Sequence, residues 1–199
     1  MSLPVDRRNT IETLTGEANK ELVKLIKAFP QSRALLKAVE NGIKHRAPKL
    51  TPSTATLVHG DFDIEKLLLC GDRIALLDFD EPAIGDPLED IAHFIADLLT
   101  PHKGFEMTEA MKSAFLETYV IETGADLPKD RFHWHLAAQL VMRAGRSYAS
   151  VTEALVRLES AARQGRNLMP AILSAAGSYV TVGEISDRLR AVFGEYHES

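Results

Sequence analysis

Two short apolar runs, Leu67 to Cys70 and Arg73 to Asp78, are separated by Gly71-Asp72 and preceded by the charged stretch His59-Gly60-Asp61-Phe62-Asp63-Ile64-Glu65-Lys66. No other feature constrains this chain as much. Two turn-forming residues between apolar runs make a tight hairpin. With Gly71-Asp72 as the turn, Cys70 pairs with Arg73 and Leu67 with Leu76. Extending that ladder by two steps puts Glu65 opposite Asp78, with Lys66 beside it. The register therefore brings Asp61 and Asp78, far apart in sequence, to the same open end of the hairpin.

All clear strand signals fall between Ala55 and Phe79; the rest of the chain has helical periodicity. From Thr10 to Phe29, Ile11, Leu14, Ala18, Leu22, Leu25 and Ile26 recur at spacings of three and four and form one apolar face. Pro30 interrupts this helix. A second runs from Gln31 to about Arg46, and Ala47 to Thr54 reads as a loop. Asp86-Pro87-Leu88-Glu89 has the pattern of a helix start: Asp86 as N-cap, Pro87 at the first position and Glu89 completing a capping box. That helix ends near Thr100, marked by Pro101. Further helices are expected at about 108–123, 130–150, 152–164, 170–178 and 182–193. The fold class is mostly α with a small β-hairpin (α+β), read as one domain over 1–199. It comprises a helical lead-in (1–56), the loop, hairpin and capped helix (57–100) and a helical subdomain (101–199).

A chain of 199 residues with 45% hydrophobic and 26% charged content suits a globular domain. The net charge of −5 and the lack of a basic run leave nucleic acid no electrostatic footprint. No apolar run is long enough to span a bilayer, and the first residues, from Met1-Ser2-Leu3-Pro4, lack the apolar core of a signal peptide. The single cysteine, Cys70, cannot form an internal disulfide. A cytoplasmic setting is the expectation.

Transfer of a phosphoryl group to a hydroxyl needs a carboxylate to take the proton and oxygen ligands for metal ions that neutralise the phosphates. Asp61 is placed for the first role and Asp78 for the second. His59-Gly60-Asp61, an apolar strand, Leu77-Asp78-Phe79-Asp80, Gly85-Asp86-Pro87 and Asp90-Ile91-Ala92 follow one another in an order and spacing that resembles the aminoglycoside phosphotransferase family over about residues 57–95. The resemblance implies a protein-kinase-like fold of which this chain represents the C-terminal lobe, with magnesium, ATP or GTP as donor, and a small hydroxyl-bearing acceptor. It implies Asp61 as catalytic base and Asp78 as magnesium ligand. It further implies His59 as a brace for the loop, and Asp86 and Asp90 as anchors of the following helix. No residue dictates the substrate pocket.

Two departures bear on activity. The family usually has Asn or Gln five residues after the catalytic aspartate, and Lys66 stands there. An ammonium has three donors and no acceptor, so it cannot ligate a cation; beside Asp78 an ion pair in the metal's place is the expectation. Asp63 and Glu65 are nearby carboxylates for which solvated loop charges are the better account. The N-terminal β-rich lobe is read as absent, since no glycine-rich phosphate loop precedes His59, and Lys24 and Lys27 fall on a helix. The chain is then either a fragment or a C-lobe-only relative. The alternative function is a non-catalytic pseudo-phosphotransferase, a pseudokinase-like module that binds a small molecule or protein. A homodimer through the surface an N-terminal lobe would cover is a further expectation.

Other clusters carry blander readings. His133-Trp134-His135 places its histidines two apart, which on a helix point in different directions. Arg143 and Arg146 suit a salt-bridged or solvated face. Glu117, Glu122, Asp126 and Asp130 could line a site for a cationic acceptor, but acidic surface is expected at this net charge.

Overall fold

The computed structural model describes residues 5–99, 105–125 and 127–195. Asp126, Pro101 and Met1 to Pro4 lie outside the described residues. The elements are α1 (Ile11–Ala28), α2 (Arg33–Arg46), β1 (Thr56–Val58), β2 (Leu67–Cys70), β3 (Arg73–Leu76), β4 (Ala83–Gly85), α3 (Leu88–Leu98), α4 (Phe105–Thr123), α5 (Lys129–Arg163), α6 (Met169–Gly177) and α7 (Val182–Phe193). Short 3-10 turns cover Pro30–Ser32, Ala47–Lys49 and Ile64–Lys66. The class is mostly α with small antiparallel sheets, as the sequence predicts.

Two compact units divide the chain, Met1–Arg143 and Ala144–Ser199; the sequence reading groups 1–199 as one domain. The predicted break near residue 151 does not occur, and α5 is continuous through it.

In the first unit, α1 starts at Thr10, whose side chain accepts from Thr13 N–H while Thr13 returns a bond to the Thr10 backbone. Its buried face, Leu14, Ala18 and Leu22, packs with Ile43 of α2 and with Trp134, Ala138, Val141 and Met142 of α5. The Trp134 indole N–H donates to the Ile43 carbonyl at 3.0 Å, so the ring is buried without an orphaned donor. A second cluster is built on Leu88, Ile91, Phe94, Ile95 and Leu98 of α3, with Phe62, Ile64 and Phe115 against it. The second unit has its own small core of Ala154, Leu155, Ala175 and Val180.

The hairpin forms in the predicted register, Leu67↔Leu76 through Cys70↔Arg73. The extension beyond it is different. The ladder stops at Leu67, and the chain tightens into the 3-10 turn, leaving Leu77 N–H bonded to the Lys66 carbonyl at 2.9 Å. Glu65 is therefore exposed rather than opposite Asp78, and Lys66 takes that place.

Strand β4 lies outside the predicted β region. It pairs antiparallel with β1, Thr56↔Gly85 to Val58↔Ala83, and Arg7 to Asn9 add a bridge on its other side. Three residues ending in Gly show no alternation to read, and their pairing partners are remote in sequence.

Candidate active site

Asp86 ends β4 and opens α3. Its Oδ1 accepts the Leu88 N–H at 3.0 Å, the cap the sequence predicts. The capping box does not form. Glu89 turns inward, is 3% exposed and accepts from Asn9 Nδ2 at 2.7 Å. Oδ2 of Asp86 takes the Arg131 guanidinium and faces His135 Nε2 at 3.1 Å. Burial alone would raise the Asp86 carboxyl; the bonds from His135, Arg131 and the Leu88 amide outweigh it and hold the carboxyl well below the usual range.

One turn further along α3, Asp90 accepts from the backbone N–H of His59 at 2.6 Å and of Gly60 at 3.0 Å. Asp86 and Asp90 thus tie the start of α3 to the loop. Gly60 has φ +85°, and a Cβ there would sit 2.3 Å from the Glu81 carbonyl oxygen. Only glycine fits that turn.

His59 is 4% exposed, with Nε2 2.8 Å from the Leu77 carbonyl. A carbonyl only accepts, so Nε2 carries the proton and Nδ1 is free to accept the Asp61 N–H at 3.4 Å. This imidazole ties the loop before Asp61 to the strand end before Asp78. Asp78 itself has φ +67°, a conformation that turns it out of the strand direction.

The three charged residues meet. Lys66 Nζ is hydrogen-bonded to Asp78 Oδ2 and lies 3.4 Å from Asp61 Oδ2. The hydrogen bond from Lys66 holds the Asp78 carboxyl below its ordinary range. That bond, and more weakly the Asp61 charge, raise the lysine against the opposing effect of burial. One ammonium thus bridges the two carboxylates that the sequence marks out.

Magnesium asks for several oxygen ligands in near-octahedral array. At Asp78 the structure offers a carboxylate already paired with an ammonium, and position 66 supplies no acceptor. These residues do not fit the ion. Asp63 Oδ1 caps the 3-10 turn through Glu65 N–H at 2.9 Å. Asp61, Asp63 and His93 each bring one ligand-type atom within 4.8 Å of the others, a grouping that shares Asp61 with the Lys66 bridge.

Sequence reasoning missed His93 and Asp97. His93 is buried with Nε2 3.6 Å from Asp61 Oδ1; Asp97 accepts the Ile64 N–H at 3.4 Å and pairs with Arg143. Asp90, His93 and Asp97 are spaced three and four apart, so they form a polar stripe on a helix whose remaining residues, Glu89 apart, are apolar. That stripe was the available signal. Of the remaining clusters, His133 is exposed while His135 is buried on Asp86, so the pair is no joint ligand set. Arg146, Glu117, Glu122 and Asp130 are exposed.

Comparison with known proteins divides the chain in two. A methylmalonyl-CoA mutase family model matches residues 132–195. Ethylmalonyl-CoA mutases from Methylorubrum extorquens and Cereibacter sphaeroides are 52% and 48% identical to this chain over 54 residues, 27% of this chain and 8% of each mutase. The chain therefore spans a small part of the curated relatives it matches. Among solved structures, the apo form of a thermostable mutant of aminoglycoside phosphotransferase APH(4)-Ia is similar with a TM-score of 0.41 and 19% identity, covering 83% of this chain and 46% of that one. A phosphotransferase enzyme family model matches residues 6–133, more than half of the chain and the whole of the loop, hairpin and capped helix. On that match the chain belongs to the phosphotransferase enzyme family.

Proposed function

We propose that this chain is a phosphotransferase lobe whose phosphoryl-transfer site is neutralised from within, so that it turns over poorly or not at all as folded. The observation that carries this is Lys66 Nζ set between Asp61 and Asp78. Asp61 retains the position of a base for a small hydroxyl-bearing acceptor, and Asp78 that of a metal-holding carboxylate. The lysine ties up both. Magnesium, and with it ATP or GTP, then has no adequate seat here. The test is calorimetric titration with ATP, with and without magnesium, of the native chain and of Lys66→Asn. No magnesium-dependent binding by the native chain and a gain in the variant are expected. Tight magnesium-dependent binding by the native chain, unchanged by Lys66→Asn, would refute the reading.

A second reading, a non-catalytic binding module, is favoured by the apolar side chains that the hairpin region presents: Leu69 is 74%, Ile74 69% and Phe79 50% exposed. Burial of that face in a homodimer or against a protein partner would remove it from water. No acyl-CoA chemistry is proposed for residues 132–195, which correspond to a small part of a mutase. Among the described residues no helix is long and apolar enough to cross a membrane.

A further inference from the structure

Helix α3 holds the charged loop on both sides of His93. Asp90 accepts the His59 and Gly60 amides ahead of Asp61, and Asp97 accepts the Ile64 amide just after Asp63. Phe62, between the two loop aspartates, stacks on Phe94 with ring centroids 5.0 Å apart. His93 lies between Asp90 and Asp97 on the same helix face. It is 4% exposed and directs Nε2 at Asp61 Oδ1, 3.6 Å away. That separation is too long for a hydrogen bond. Two atoms held by one tetrahedral zinc ion, each at about 2.0–2.2 Å, lie about 3.4 Å apart. The gap between His93 and Asp61 is therefore close to one edge of a zinc site. Asp63 supplies a third ligand atom, within 4.8 Å of the other two.

Charge favours a dication here. The carboxylates of Asp61, Asp63 and Asp78 are set against the single ammonium of Lys66, which leaves a negative excess. Lys66 engages Oδ2 of Asp61, whereas Oδ1 is the atom that faces His93. Asp63 caps its turn through Oδ1, so Oδ2 is not needed there. The donor set selects the ion. Magnesium prefers oxygen ligands in octahedral array, whereas an imidazole with two carboxylates suits zinc, which commonly takes three protein ligands and a water. We propose that Asp61, Asp63 and His93 bind one divalent transition-metal ion of the zinc type, with its fourth position open to water beside the half-exposed Asp61. The ion pins the loop to α3 and occupies the carboxylate that the family resemblance marks as a base. The site depends neither on Asp61 acting as a base nor on Lys66 excluding magnesium, so zinc binding and magnesium-dependent ATP binding succeed or fail separately.

The test is titration of the full chain with zinc against a chromophoric chelator, with cobalt(II) as a spectroscopic substitute. One zinc per chain, not displaced by excess magnesium, is expected, and cobalt should give the intense visible absorption of a four-coordinate ion. Zinc should also shift the His93 ring signals in imidazole nitrogen NMR spectra. Asp63→Asn keeps the acceptor for the Glu65 amide but removes a charged ligand. It should weaken zinc at least about tenfold, since loss of an outer partner alone costs that much. His93→Gln should weaken it as strongly, and Asp63→Asn decides the matter if that variant fails to fold. Cys70→Ser and His133→Ala, at exposed positions, should leave the affinity unchanged. No saturable zinc binding, affinity unchanged in Asp63→Asn, affinity lost in either surface variant, or a His93 ring unmoved by zinc would overturn the proposal.

Discussion

Glu89 gives the structure a measurable pH signature. It lies in the first turn of α3, where the helix dipole favours a negative charge. Burial acts more strongly. The side chain is 3% exposed, Oε2 has no partner, and the bond from Asn9 to Oε1 only partly compensates. The carboxyl is accordingly pushed from 4.5 up to about 7. Because the folded value lies above the unfolded one, the folded state holds a proton that the unfolded state releases first. Stability is unaffected below about pH 4.5 and is lost as pH rises from there to about 7. At 1.36 kcal/mol per pH unit, the loss amounts to about 3 kcal/mol at most. Glu89→Gln keeps an acceptor for Asn9 and removes the titration. It is expected to be about 1–3 kcal/mol more stable than the native chain at pH 8 and nearly equal to it at pH 4.5. Urea unfolding across this range, followed by the fluorescence of Trp134, the only tryptophan and itself buried in the first unit, measures the difference directly. Parallel pH profiles for the two chains would refute the reasoning.

Two further perturbations test the loop. Gly60→Ala forces a Cβ to within 2.3 Å of the Glu81 carbonyl at a positive φ. Strain and displacement should cost about 2–4 kcal/mol and shift the Asp61 amide resonance; a variant of native stability and spectrum would contradict the geometry. Asp90→Ala strips the His59 and Gly60 amides of their shared acceptor. A loss of about 2–4 kcal/mol in urea unfolding is expected, with faster hydrogen exchange at these two amides as its local mark.

Much of this architecture is legible in the sequence because it depends on near neighbours. The two-residue turn sets the hairpin register within ten residues. Thr10 caps α1 through a side chain three positions away, and the apolar stripe of α1 follows from helical period alone. The resemblance over 57–95 rests on the same local runs. Strand β4 is not legible, because three residues ending in Gly have no pattern until β1 and the Arg7–Asn9 segment lie against them. Glu89 is misleading for a related reason. Its spacing from Asp86 suits a capping box, but a remote amide, Asn9, and a buried setting draw it away.

The sequence by itself determined α1 to α3, the hairpin register and the identity of the charged residues that meet at its mouth, since period, turn chemistry and caps act over a few residues. Only the tertiary structure decided how their charges are paired. Lys66 bridges Asp61 and Asp78 because the chain leaves the ladder for a 3-10 turn at that point and His59 clamps the two segments together. Asp86 is satisfied by Arg131 and His135, and Asp97 by Arg143, across separations of more than forty residues. Such pairings are set by packing of α3 against α5, and no local rule anticipates which buried charge finds which partner.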